Sequence, residues 1–337
     1  MLSIGPVTVT SPLVLAPMAG ISDLPFRLIN RSFGCGFAFT EMISARSLVY
    51  SNKTTIKMLS SPMEDRPLGI QIVSADSEII KRAVDILSPY TFDIIDFNAA
   101  CPVNKVVSIG EGAGLLREPV KLQKLLKTIV ESACVPVTVK IRSGWDEASV
   151  NATDIALRAQ DAGVKGLFIH GRTRAQGYSG RVDYTIIGKV KKYLTIPVIA
   201  SGDALSPHLI RKMFDETGCD GVAVARGALG NPWIFRETIE YLKNGTSLCR
   251  PHVHEIAQAM KKHLALLVRF HGETTGVMRF RKFFGWYAKG MAIKHLKVMA
   301  FNACTHDEML RLLEEIETAQ TERYSGDSKY YESIASV

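Results

Sequence analysis

Val135-Pro136-Val137-Thr138-Val139-Lys140-Ile141-Arg142-Ser143-Gly144 is a short apolar run that ends in a lysine, an arginine and a Ser-Gly pair. A nearly continuous apolar run is what a strand covered on both faces requires, as in a parallel sheet wrapped by helices. Pro136 falls at the start, where a missing N–H is tolerated. Ile196-Pro197-Val198-Ile199-Ala200-Ser201-Gly202-Asp203 repeats the pattern. Six more segments of this kind stand at residues 13–20, 37–41, 68–74, 92–101, 166–173 and 221–230. Helix-like stretches such as 77–87 and 120–130, with apolar and charged faces, separate them. Eight strand–helix units predict a closed α/β barrel, the (β/α)8 TIM barrel. In that architecture the chemistry sits at the C-terminal ends of the strands.

The alternation stops near residue 245. Asn244-Gly245 reads as the C-cap of a helix over 233–243. Beyond it, Ile256, Met260, Leu264, Leu267 and Val268 recur at helical spacing within 254–270. Stretches 278–289, 291–299 and 306–320 also read as helices, the last with Thr305 as N-cap and Glu308 placed for a capping box. The expected organisation is a barrel over 1–245, a small C-terminal helical domain over 246–320 and a polar tail over 321–337.

The net charge of +8 is unevenly spread. Residues 246–303 hold ten basic and two acidic side chains, whereas 304–337 hold three basic and eight acidic. A basic block of this kind suits a polyanion and equally suits a solvated helical face. Six cysteines stand in no metal-ligand spacing, so no metal site is expected. The first twenty residues lack lysine and arginine, and no apolar run approaches the roughly 20 residues of a membrane span. A cytoplasmic chain with free thiols, no membrane contact and a monomeric state is expected.

The strand ends supply the candidates. Ser201-Gly202-Asp203 and Ala225-Arg226-Gly227 place glycine where two consecutive strands turn into loops, the usual place for a phosphate in such barrels. Lys140 and His170 end adjacent strands and suit an anionic ligand. Cys101, followed by Pro102, opens a loop at the same rim, where a thiol can act as nucleophile or proton donor. Pro17, Met18 and Ala19 would let a flat ring lie against the backbone, and the Gln71 amide can pair with a heterocycle edge.

Taken together, these strings resemble the tRNA-dihydrouridine synthase family, most closely its bacterial B-type subgroup. The matching pieces run in order from Ala16-Pro17-Met18-Ala19-Gly20 and Asp23-Leu24-Pro25-Phe26-Arg27 through Thr40-Glu41-Met42, Gln71 and Asn98-Ala99-Ala100-Cys101-Pro102. The glycine-rich 110–116, Val139-Lys140-Ile141-Arg142, His170-Gly171-Arg172-Thr173, Ser201-Gly202-Asp203, Ala225-Arg226-Gly227 and the Arg/Lys-aromatic stretch 280–290 follow. Two departures from the family pattern stand out: the tripeptide before the cysteine is Asn98-Ala99-Ala100, where glycine is common, and Ser201 stands where asparagine is frequent.

The resemblance implies FMN in a barrel, NADPH as reductant and reduction of the uridine C5=C6 bond in the tRNA D-loop. It implies FMN contacts at Pro17, Met18, Ala19, Gln71, Lys140, His170, Ser201, Gly202, Asp203, Ala225 and Arg226, and a proton donor at Cys101. The target base would be swung out of the RNA into the barrel mouth. Arg279, Arg281, Lys282 and Lys289 would meet tRNA phosphates, with Arg281 and Lys282 exposed and Phe283 or Trp286 in the core. Two other readings stay open: an FMN barrel of the dihydroorotate or old-yellow-enzyme type acting on a free small molecule, and an RNA-binding barrel without redox turnover.

Overall fold

The computed structural model describes residues 1–60 and 62–319; Gln320 and the expected tail at 321–337 lie outside the described residues. The chain begins with a hairpin, β1 (Leu2–Ile4) and β2 (Val7–Val9), paired antiparallel. Eight parallel strands follow: β3 (Leu13–Leu15), β4 (Phe37–Ser44), β5 (Leu68–Val73), β6 (Ile94–Ala99), β7 (Val137–Arg142), β8 (Gly166–His170), β9 (Val198–Ser201) and β10 (Gly221–Val224). They pair in chain order, and β10 closes on β3. The predicted TIM barrel is the observed one. The proline expected at each strand start stands one residue ahead of β7 and β9. The predicted helix over 77–87 is found as Ser77–Leu87, capped by the Asp76 carboxylate.

The hairpin was not read from the sequence. Leu2, Ile4 and Val9 join Phe37, Phe39, Ile94, Phe168 and Ile199 in one apolar cluster. Phe39 meets the edges of Phe37 and Phe168 at 5.0 and 5.2 Å between ring centres. Gly69 makes room for this: a Cβ there would lie 2.2 Å from the Phe39 ring. Early strand positions therefore fill the lower barrel with apolar groups. Polar side chains begin with Asp96 and Thr138 near the middle and start of β6 and β7, and Asn98, Lys140 and Arg142 follow on their later halves.

The chain divides into two compact units. One comprises Met1–Asp23, Cys35–Ala204 and Leu209–Ala225; the other comprises Leu24–Gly34, Leu205–His208 and the chain from Arg226 onward. The boundary expected at 245 falls inside the second unit, where Gly245 in the left-handed region (φ 73°) ends the helix Ile234–Asn244. The second unit holds the helices Leu24–Arg31, Ile234–Asn244, Val253–His271, Glu273–Tyr287, Lys294–Asn302 and His306–Ala319. Phe26 stacks on Phe283 at 5.5 Å, and His263 lies 4.4 Å from the same ring. The capping box forms: Glu308 N donates to Thr305 Oγ1, and Thr305 N donates to the Glu308 carboxylate. Phe283 is core, as expected, and Trp286 is half-buried. The exposure expected of Arg281 and Lys282 is corrected: both are half-buried. The Arg281 guanidinium donates to the Ala303 carbonyl at 3.0 and 2.6 Å, closing the turn after Lys294–Asn302. The Lys282 ammonium lies 4.9 Å from the Phe283 ring.

Candidate active site

The barrel mouth is built on the register of β5 to β9. Gln71 is level with Asp96, and Asp96 with Thr138. One layer higher Asn98 is level with Lys140, and above it Arg142 is level with His170 and His170 with Ser201. Alternation on a strand puts residues two apart on one face. Asp96 and Asn98 on β6, and Thr138, Lys140 and Arg142 on β7, therefore share an orientation.

Asp96 is 1% exposed. Its carboxylate accepts from Thr138 Oγ1 at 2.6 Å and from Gln71 Nε2 at 2.7 Å. Burial raises its pKa to about 6, against the opposing pull of these two donors and of Lys140. Asn98 Nδ2 donates to Gln71 Oε1 at 2.8 Å, and Asn98 Oδ1 accepts from the backbone N–H of Ala100 and of Cys101 at 3.0 and 2.8 Å. The carbonyls of this loop are held too. Arg142 Nε donates to Ala100 O at 2.8 Å, and Ala113 N donates to Cys101 O at 3.0 Å. Cys101 is half-buried at the end of this framework.

Lys140 is half-buried, with its ammonium 3.4 Å from Ser201 Oγ. Burial, with the Arg142 cation adding to it, lowers its pKa to about 8, while Asp96 and Cys101 act in the other direction. Gly202 follows Ser201 with φ +117°, and a Cβ there would lie 2.8 Å from His170 Cδ2. Asp203 also has a positive φ of 51°. Its carboxylate is committed to Arg172 through a two-pronged contact at 2.9 and 2.6 Å. Arg172 is 3% exposed and also holds the Ser179 and Gly180 carbonyls. Asp203 thus helps to fix the loop carrying Gly177, Tyr178 and Ser179. Ala225 directly follows β10, and Arg226 opens the turn Arg226–Ala228. Pro17 and Met18 are half-buried and Ala19 exposed in the loop after β3.

Two features of the rim went unread in the sequence. Tyr178 is 61% exposed, with its ring 6.4 Å from His170 and 5.8 Å from the Arg142 guanidinium. Trp145 carries two guanidiniums over its ring, Arg117 at 4.1 Å and Arg174 at 4.6 Å. Arg174 Nη2 also donates to Asn104 Oδ1, three residues on from Cys101.

The dihydrouridine synthase model, "Dihydrouridine synthase (Dus)", matches residues 14–323. A tRNA-dihydrouridine synthase B of Pseudomonas putida is 39% identical over 285 residues, covering 84% of each chain. The namesake of Xanthomonas campestris is 37% identical and covers 86% of this chain and 87% of its own. A probable tRNA-dihydrouridine synthase of Rickettsia conorii is 34% identical, covering 86% and 88%. The chain belongs to the dihydrouridine synthase family. Among solved structures, an amine oxidase of Pseudomonas geniculata acting on 6-hydroxypseudooxynicotine is similar with a TM-score of 0.58 at 14% identity, covering 77% of this chain and 52% of that one. A 2-naphthoyl-CoA reductase gives 0.57 at 12%, covering 71% and 51%. At such identities these two show the fold alone.

For a dihydrouridine synthase the implied cofactor is a flavin, and the mouth suits one. Its pyrimidine edge presents alternating carbonyl and N–H groups, and a reduced ring carries negative charge. Lys140 offers a cation there; among the described residues no carboxylate lies within ion-pair distance of its ammonium. The backbone at Gly202 bears no side chain and turns where a Cβ would collide with His170, so a phosphate can approach it closely. Asn98, Arg142 and Arg172 were quoted in the sequence without individual roles, and Asp96 lay within the strand segment 92–101. A buried acid two residues before Asn98 on an apolar strand was the one available signal. Among the described residues no helix is long and apolar enough to cross a membrane, and no cluster of histidine, cysteine, aspartate and glutamate is arranged to hold a metal ion.

Proposed function

We propose that this chain reduces the C5=C6 bond of uridine to 5,6-dihydrouridine in the D-loop of tRNA, with FMN as resident cofactor and NADPH as reductant. The family membership supports the reaction class. The observation that carries the reading is the Cys101 loop, braced on both its N–H and C=O groups beside a polar barrel mouth. Bound FMN, once reduced by NADPH, supplies the reducing equivalent to the uracil ring. Gln71, Lys140, His170, Ser201 and Gly202 hold it, with Pro17, Met18 and Ala19 along one side and Asp203, Ala225 and Arg226 in the phosphate loops. Lys140 balances negative charge at the pyrimidine edge.

Saturating the bond also needs a proton at C5. Cys101 is the donor, and a braced loop keeps the thiol at a fixed distance from the base. Tyr178 gives the extruded base a flat, exposed face to stack on. Arg117 and Arg174, lying against Trp145, add a cationic rim for the flanking phosphates. In the second unit Arg279, Lys282 and Lys289 supply further cations for tRNA phosphates, and the chain acts as a monomer.

Cys101→Ala tests this directly. The variant is expected to bind FMN and to be reduced by NADPH at the parental rate, and to lose dihydrouridine formation by at least about a hundredfold, the scale of general acid catalysis. Parental levels of dihydrouridine, mapped by mass spectrometry of tRNA, would remove the acid role.

A further inference from the structure

The buried carboxylate of Asp96 has no part in the chemistry described above, yet a directed chain of hydrogen bonds leads from it to the thiol loop. Gln71 Nε2 donates to Asp96, Asn98 Nδ2 donates to Gln71 Oε1, and the Ala100 and Cys101 N–H groups donate to Asn98 Oδ1. Every bond runs in one sense, with the donor on the loop side and the acceptor on the Asp96 side.

A primary amide is nearly symmetric in shape but has a donor at one end and an acceptor at the other. Shape therefore does not fix which way Gln71 and Asn98 point; their neighbours must. At the loop end the neighbours are two backbone N–H groups, which only donate. Both amides can then be satisfied only if something beyond Gln71 accepts. Asp96 is that acceptor, and Thr138 Oγ1 steadies its other oxygen at 2.6 Å. Without it, a buried Gln71 N–H is left unpaired, which costs the full desolvation of that group. Turning the Gln71 amide over relieves that loss but sets its NH2 against the NH2 of Asn98. Turning Asn98 in response sets its NH2 against the two loop N–H groups.

We propose that Asp96 is a positioning residue: by accepting from Gln71 it fixes the orientation of both amides and thereby holds the backbone of Ala100 and Cys101, which presents the thiol at the barrel mouth. The purpose of that thiol rests on the proposed function. The chain of bonds does not, and the two fail separately.

The test uses the purified protein at matched flavin content. Deuterium uptake at Ala100 and Cys101, and alkylation of the Cys101 thiol by iodoacetamide, are both read by peptide mass spectrometry, which separates Cys101 from the other five cysteines. Asp96→Leu removes the acceptor at similar volume, and Gln71→Met breaks the chain at its middle. Each is expected to speed exchange at the two loop amides by about tenfold, the scale of one hydrogen bond, and to speed alkylation. Asp96→Asn keeps an acceptor for Gln71 and turns its NH2 to the Thr138 hydroxyl, so its loop should exchange within about twofold of the parent. Thr138→Val, which leaves the Gln71 bond in place, should do the same. Exchange in Asp96→Leu and Gln71→Met equal to the parent overturns the proposal. So does Asp96→Asn loosening the loop as much as Asp96→Leu, because charge rather than orientation would then matter. If Asp96→Leu does not fold, Gln71→Met decides alone. A loop that loosens in a protein whose Cys101→Ala variant still makes dihydrouridine would keep this inference and discard the acid role.

Discussion

Lys140 puts a cation where burial and the Arg142 guanidinium oppose it, and its pKa falls to about 8. In the unfolded chain it lies near 10.5. Between these values the folded chain binds fewer protons than the unfolded one, so stability rises as pH climbs through that window. Below about 8 the charged lysine costs folding free energy. Lys140→Met is therefore expected to stabilise the flavin-free protein at pH 7 by roughly 1–3 kcal/mol, a gain that shrinks toward pH 10.5. Urea unfolding at pH 7 and pH 10 measures it. The same cation suits the carbonyl-bearing pyrimidine edge of the cofactor, which carries partial negative charge when oxidised and full negative charge when reduced. FMN affinity of the parent, followed by flavin fluorescence, should weaken as pH rises through about 8. Lys140→Met should bind weakly and without that pH dependence. Equal parental affinity at pH 7 and pH 9.5 would show that the charge is not what holds the flavin.

Elements differ in how openly the sequence announces them. The barrel strands were legible because each is a short apolar run closed by turn residues, and their order gave the mouth. Cys101 and Lys140 stood out as candidates for the same reason, being close to strand ends, whereas Gln71 sits within β5. The meaning of Asp96 lies in cross-strand register, and no reading along one strand shows that Gln71 lies level with it. The hairpin Leu2–Val9 was missed because three-residue strands carry too few alternations to register. Leu24–Arg31 reads locally as the first barrel helix, yet Phe26 stacks on Phe283, some 250 residues on, and the helix belongs with the second unit. Helix packing hides in the same way. Gly276 lies in Glu273–Tyr287 where a Cβ would come 2.7 Å from the backbone of Val268 in Val253–His271. Ala is the better helix former by about 1 kcal/mol, but here its methyl forces two helix backbones apart. Gly276→Ala should therefore lower stability by about 1–3 kcal/mol despite the propensity gain, seen as a fall in Tm. An unchanged or raised Tm would mean that the two helices part at little cost.

Charge is a property of the whole chain, and it is where RNA binding can be measured. A net +8, with ten basic and two acidic residues over 246–303, predicts affinity for tRNA that falls steeply with salt. Each phosphate contact contributes about −0.7 to −0.9 to the slope of log affinity against log salt concentration. The structure sorts the cations unequally. Arg281 is engaged with the Ala303 carbonyl, so its loss should unsettle the turn at Ala303 and lower Tm as well as weaken binding. Arg117 and Arg174 lay their guanidiniums over Trp145 at the barrel rim. Replacing either by Gln should flatten the salt slope by about one contact while leaving tRNA-independent NADPH oxidation intact. Lys282→Gln should flatten it by a similar step from the second unit. If one tRNA engages both units at once, adding Lys282→Gln to an Arg117/Arg174 double variant flattens the slope by one further step, since these residues share no partner. If they bind RNA independently, Lys282→Gln flattens the slope no further in the Arg117/Arg174 double-variant background. A parental slope near zero would reject phosphate gripping by this chain altogether.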